Sequence, residues 1–145
     1  MSVKDFVQQR RDALIAMRRD FHMYPEPAWL EYRSAAKVAD RLISLGYDVA
    51  LGADVLDLDS RMGLPSDEVM KAAMDRAIKE GANPELVEKM GYGKTAIVAT
   101  MKFGGKGPVV AFRVDMDSND VIEAKEDNHV PAKGGFRSCH DKAMH

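Results

Sequence analysis

The chain has 145 residues, 46% of them hydrophobic, with 21 basic and 23 acidic side chains and a net charge of −2. That length suits one compact domain and is too short for two comfortable ones, and the apolar content excludes disorder as the default state. The balanced charge excludes an electrostatic grip on nucleic acid or on an anionic membrane, and no apolar run reaches the roughly 18 residues that span a bilayer.

From Ser2 to Met23 the spacing predicts a helix. Val3, Phe6, Val7, Leu14, Met17 and Phe21 mark one stripe, with Arg10, Arg11, Arg18 and Arg19 largely off it. Ser2 with Asp5 has the form of a capping box. Pro25 and Pro27 end the helix, since neither offers a backbone N–H. Asp5 and the polar residues around it make the start unlike a signal peptide, and the single Cys139 cannot form an internal disulfide. A cytoplasmic protein is expected.

A second helix is expected over Leu30 to Leu45, with Ala35, Ala36 and Ala39 allowing close packing and Gly46 in the C-terminal cap position. Tyr47 to Leu51 is a short strand candidate. Residues 52 to 65 look irregular, and Asp54, Asp57 and Asp59 read as an acidic solvated loop, since the Gly and terminal Glu of a calcium hand are missing. Ser66 caps a helix from Asp67 to about Glu80, which Gly81 ends. Asn83-Pro84 opens a short helix that closes at Gly91.

Gly91-Tyr92-Gly93-Lys94-Thr95 imitates a phosphate loop, but Glu88 stands where that motif needs Gly, and a strand follows rather than a helix. Thr95 to Phe103 is expected to be a strand, Gly104 to Gly107 a turn, and Pro108 to Val114 a second strand of the same hairpin. Val109-Val110-Ala111-Phe112 is apolar enough for a strand buried on both faces. Beyond it, some 30 residues lose their periodicity, as functional loops do.

Several groups in these segments could carry chemistry. If strand geometry continues past Val114, Asp115 and Asp117 point to one side at a strand's carboxyl end, where ligands bind in open α/β sheets. The alternative is a strand-terminal turn with solvated carboxylates. His22, at a helix end, reads as a C-terminal charge or a core partner before a ligand. Cys139, His140, Asp141 and His145 gather metal-binding side chains within seven residues, although adjacent residues such as Cys139 and His140 point apart unless the loop kinks.

Taken in order, these segments resemble one family. Gly107-Pro108-Val109-Val110-Ala111-Phe112-Arg113-Val114-Asp115-Met116-Asp117 is similar to the Gly-Pro-…-Arg-x-Asp-Met-Asp segment of metal-dependent amidohydrolases, the aminoacylase and carboxypeptidase-like metallopeptidases. His22-Met23-Tyr24-Pro25-Glu26 with Glu31-Tyr32-Arg33 resembles their opening motif. Residues 60–69 and Gly135-Phe136-Arg137-Ser138-Cys139 resemble the p-aminobenzoyl-glutamate hydrolase type. Ser118-Asn119 departs from the family's apolar Ala-Leu.

The resemblance implies an α/β fold: the N-terminal part of a metallopeptidase catalytic domain, helices packed on an incomplete mixed sheet. The expected organisation is helical over 1–46, a strand and helical hairpin over 47–91, a β-hairpin over 95–114 and an active-site approach loop over 115–145. The family's metal motif is His-Ala-Cys-Gly-His-Asp-x-His. One alignment makes Cys139-His140-Asp141 a damaged copy of it, with Cys139 and His140 as metal ligands, but this needs a lost Gly. The favoured alignment needs no gap and makes His145 the residue that opens the motif, two residues before the first ligating Cys. Asp115, Asp117 and His145 then stand beside the metal site rather than on the metal. The implied activity is hydrolysis of an N-acyl or aminobenzoyl-glutamate amide, a small-molecule substrate. Manganese or zinc is implied in the complete enzyme, with none bound tightly here. The chain alone is expected to be inactive and to self-associate or pair with a complementing chain. The alternative is a non-enzymatic domain that binds or regulates a full-length paralogue.

Overall fold

The computed structural model describes residues 2–126 and 128–144. They fall into two compact units, one formed by residues up to Pro25 together with those from Ser118 onward, the other by Glu26–Asp117. The α/β class is borne out: helices accompany a two-stranded sheet, which among the described residues is antiparallel rather than mixed. No helix of the described residues is long and apolar enough to cross a membrane.

In the first unit the expected single helix is two, α1 (Val3–Gln9) and α2 (Arg11–Met23). The capping box is present, with Asp5 N–H donating to Ser2 Oγ and Ser2 N–H to Asp5 Oδ2. The break falls at Arg10, whose N–H donates to Val7 O and whose guanidinium lies 3.6 Å from the Phe6 ring centre. α1 buries no residue. With no packing to enforce a continuous rod, its last turn tightens to a shorter hydrogen bond.

The second unit holds the larger core. α3 (Tyr32–Ser44) packs on α4 (Asp67–Lys79) and α5 (Pro84–Met90). The contact is made by small residues, Ala35, Ala36 and Ala39 against Ala73 and Ala77, with Val87 and Met90 filling the remainder. The Ser66 and Asn83 caps form as their sequence positions require. Gly46 takes φ +86, as the cap position after α3 demands. Gly93 also needs a left-handed backbone, φ +61, and a Cβ there would stand 2.7 Å from Leu64. Its N–H donates to the buried Tyr32 hydroxyl at 2.8 Å.

β1 (Asp48–Leu51) pairs with β2 (Ile97–Thr100), matching Asp48 with Thr100 and Leu51 with Ile97. The hairpin expected over 95–114 is therefore corrected. β2 is shorter than anticipated and takes its neighbour from before α4. Residues 108–114 form no strand, and Val109 and Phe112 are almost fully exposed. The physical reason lies in the segment's own composition. A strand apolar on both faces is stable only with neighbouring strands and a covering layer on each side, and the described residues supply neither. The chain bends at Gly104-Gly105, both with positive φ, but closes no hairpin there.

Replacing Tyr32 by Phe would leave the Gly93 N–H buried without an acceptor. An uncompensated buried donor costs about 1–3 kcal/mol. Urea unfolding of Tyr32→Phe should show that loss with an unchanged m-value; an unchanged midpoint would refute the role given to the hydroxyl.

Candidate functional site

The Asp-Met-Asp segment does not form the strand end expected of it. Asp115 and Arg113 make an exposed ion pair at 2.7 Å, the kind of contact that adds little stability. The strand geometry on which a shared orientation of Asp115 and Asp117 was conditional does not extend to them. Asp117 is exposed, while the intervening Met116 packs against the core of its unit.

The structure instead places Asp117 where its charge acts on Glu31, a carboxyl of the opening motif, which in turn feels Glu26. Glu26 is fully buried, and its carboxylate accepts the N–H groups of Arg33 at 3.0 Å and Ser34 at 2.8 Å. These are orphan donors in the first turn of α3, so Glu26 acts as a remote cap. Burial pushes its carboxyl above the ordinary range, against the pull of those two hydrogen bonds and of Arg76. Glu31, just before α3, is pushed up to about 6, first by burial and then by the charges of Asp117 and Glu26; a hydrogen bond with the Thr95 side chain opposes the shift. One of its oxygens is buried with no hydrogen-bond partner among the described residues. A carboxyl in this environment holds its proton more tightly than usual.

The first unit has its own polar centre. Glu123 is buried, and its Oε1 accepts from His22 Nε2 at 2.8 Å and His129 Nε2 at 2.7 Å, while Oε2 accepts the Ser138 N–H. Burial raises this carboxyl, but the three hydrogen bonds and the charge of His22 outweigh it and hold the group below its ordinary value. His22 is thus a core partner, as its place at a helix end suggests. A cavity of about 590 Å³ lies beside it between α2 and α6 (Val130–Lys133), lined by Leu14, Ile15, Val130, Pro131 and Phe136 with the stems of Arg18 and Arg19. Its wall is mostly apolar, which suits a packing gap better than amide chemistry.

Cys139 and His140 both face the chain that leaves α2. The Cys139 thiol donates to Met23 O at 3.0 Å, and His140 Nδ1 donates to Pro25 O at 2.6 Å. The loop bends enough for adjacent residues to do this because Ser138 Oγ donates to the backbone and also accepts the His140 N–H. Among the described residues, no three ligand atoms of a single unit converge within 4.8 Å. His145 lies outside the described residues.

Sequence reasoning gave no role to Glu123, His129 or Thr95. Glu123 and His22 are 101 positions apart, and no spacing rule connects them.

No family model matches the chain. Curated proteins and a solved structure do. The chain is similar to hydrolases of two kinds. It is 42% identical over 143 residues to the indole-3-acetyl-aspartic acid hydrolase of Enterobacter agglomerans, covering 99% of this chain and 33% of that protein. It is 43% identical over 144 residues to a p-aminobenzoyl-glutamate hydrolase subunit of Escherichia coli strain K12, again covering 99% of this chain and 33% of that protein. The crystal structure of the aminobenzoyl-glutamate utilization protein from Klebsiella pneumoniae superposes with a TM-score of 0.79 at 45% identity, covering 83% of this chain and 30% of that one. The chain is thus homologous over nearly its whole length to the p-aminobenzoyl-glutamate hydrolase of Escherichia coli, and the resemblance read from its motifs is borne out. It spans about a third of the length of the curated relatives it matches.

Two expectations follow from the carboxyls. Folded Glu31 keeps its proton to about pH 6, whereas the unfolded chain releases it near 4.5. Stability from this group is therefore complete below pH 4.5 and falls as pH rises to about 6. Glu31→Gln should flatten that slope and raise neutral-pH stability by at most about 2 kcal/mol, read from unfolding midpoints across the interval. Glu123 behaves oppositely: its lowered pKa gives stability that is present above 4.5 and lost as pH falls through the folded value. Glu123→Gln should cost about 1–3 kcal/mol at neutral pH, and a variant as stable as the parent would show that the two histidines do not depend on the carboxylate.

Proposed function

We propose that the chain contributes one structural third of an amidohydrolase that cleaves an N-acyl or aminobenzoyl-glutamate amide, and that it is inactive alone. The observation that carries this reading is the match across 99% of this chain to a third of the p-aminobenzoyl-glutamate hydrolase relative.

In the complete enzyme Asp115 and Asp117 would stand beside the centre, together with His145. A divalent metal, manganese or zinc by resemblance, would polarise the amide carbonyl there. The residues present here position the approach. Glu26 fixes the start of α3, and Glu31 is pushed up to about 6 by burial and, to a lesser degree, by Asp117. That the relative is named as one subunit of its hydrolase supports a partner in the working assembly. The single cysteine fits a reducing, cytoplasmic setting.

Purified chain should show no turnover of aminobenzoyl-glutamate with or without added manganese, and no saturable manganese binding by calorimetry. Turnover that disappears on chelation and returns with manganese would overturn the claim that the chain alone is inactive.

A further inference from the structure

The loop over residues 58–64 is fastened to the larger unit at two points. On one side the Trp29 indole N–H donates to Met62 O at 3.1 Å. Trp29 has φ +67, a left-handed conformation that persists in a residue other than glycine only where its surroundings over-determine it. On the other side Arg61 Nη1 donates to Tyr92 O at 3.0 Å and to Gly93 O at 3.3 Å, while Arg61 Nε donates to Leu58 O at 3.1 Å. A guanidinium carries five N–H donors in a planar fork. These bonds use three of them, and the two on Nη2 meet no acceptor among the described residues. Lys94 folds back over the same turn, since a Cβ at Gly91 would stand 3.1 Å from its Nζ. Neither cation forms an ion pair among the described residues. Both fastening points adjoin the carboxyls described above. Trp29 stands two residues before Glu31, and Gly93 two residues before Thr95, whose side chain bonds Glu31 and so leads to Asp117.

We propose that Arg61 is a specificity-determining residue, its Nη2 edge taking the side-chain carboxylate of an acidic amino acid whose amide lies toward Asp117. This rests on the reading of the chain as one third of a hydrolase for such amides. The guanidinium matches a carboxylate in geometry and stays charged wherever the protein is folded. Three carbonyl contacts hold the Arg61 side chain in place before any ligand arrives, so little rotamer freedom is lost on binding. Lys94 adds a second positive charge on the same turn, which suits a ligand with two carboxylates rather than one. Fastening the loop accounts for one edge of the guanidinium and leaves Nη2 and Lys94 without a task.

The test titrates the 145-residue chain with p-aminobenzoyl-glutamate and with p-aminobenzoyl-glutamine, which keeps the amide and loses the side-chain charge. Calorimetry gives the affinities, and backbone amide shifts locate the contact. Saturable binding of the glutamate form is expected, with the largest shifts at residues 61–64 and 92–95. The glutamine form should bind at least about tenfold more weakly, as the loss of a charge-assisted hydrogen bond requires. Arg61→Gln should weaken the glutamate form by a similar factor and leave the glutamine form unchanged, and Arg61→Lys should restore part of the loss. Replacing a residue that only fastened the loop would weaken both ligands alike. Comparing the two ligands on the parent chain needs no substitution, so a variant that fails to fold leaves the test intact. No saturable binding, equal affinity for the two forms, or equal losses in Arg61→Gln would each overturn the inference. Glutarate is the third ligand. If it binds as tightly as p-aminobenzoyl-glutamate, with the same dependence on Arg61, the carboxylate contact stands and the amide reading falls. If both p-aminobenzoyl ligands bind equally well and glutarate does not bind, the amide reading stands and the role of Arg61 falls.

Discussion

The carboxylate of Glu26 accepts two backbone N–H groups of α3 in a place closed to water. Taking a carboxyl out of water costs several kcal/mol unless hydrogen bonds compensate. Here the compensation comes from the first turn of a helix, where the donors are otherwise orphaned and the dipole favours negative charge. Much of the larger unit follows from that contact. It sets where α3 begins, and so which residues of α3 face inward. Tyr32 then meets the Gly93 N–H, and Arg33 Nε reaches the Glu80 carbonyl at the end of α4. The same face carries Ala35, Ala36 and Ala39, whose small side chains let α4 approach closely. The turn at Gly93 in turn leads the chain into β2.

Glu123 performs a comparable task in the other unit, and the contrast between the two carboxyls is physical. Glu26 has two backbone donors, the Ser34 side chain and the charge of Arg76 pulling it down, yet burial prevails, so its pKa rises. Glu123 has three donors, two of them histidine rings that can carry charge, and the donors prevail, so its pKa falls. Two carboxyls closed to water therefore give opposite pH responses. The balance between burial and the surrounding donors and charges decides the sign.

How much of this was legible in the sequence depends on the range of the interaction. Local signals read well. The Ser2–Asp5 box, the Ser66 and Asn83 caps and the Gly46 cap position each depend on neighbours a few residues away, and each formed. The break at Arg10 was not legible, since no Gly or Pro marks it and only the absence of packing on α1 permits it. Pairing failed where it is non-local. The 95–114 hairpin was the nearest arrangement in sequence, but β2 found β1 some fifty residues earlier. At the candidate site, Asp117 was visible as a residue but its neighbours were not. Glu31 reaches it only through the packing of α3, and Glu123 meets His22 across 101 positions.

The same hydrogen bonds limit what these residues can do chemically. Glu26 and Glu123, the two deeply buried carboxylates, are both occupied by hydrogen bonds that hold the backbone together. Using either as a general base would mean giving up those bonds and leaving buried N–H groups unsatisfied. Cys139 and His140 are likewise bonded to backbone carbonyls. Of the groups with a perturbed pKa in the second unit, Glu31 alone combines a value near neutrality with an oxygen that is unpartnered among the described residues. The packing that buries Glu31 beside Asp117 thus tunes one carboxyl to about 6, while backbone hydrogen bonds commit Glu26 and Glu123 to holding the fold.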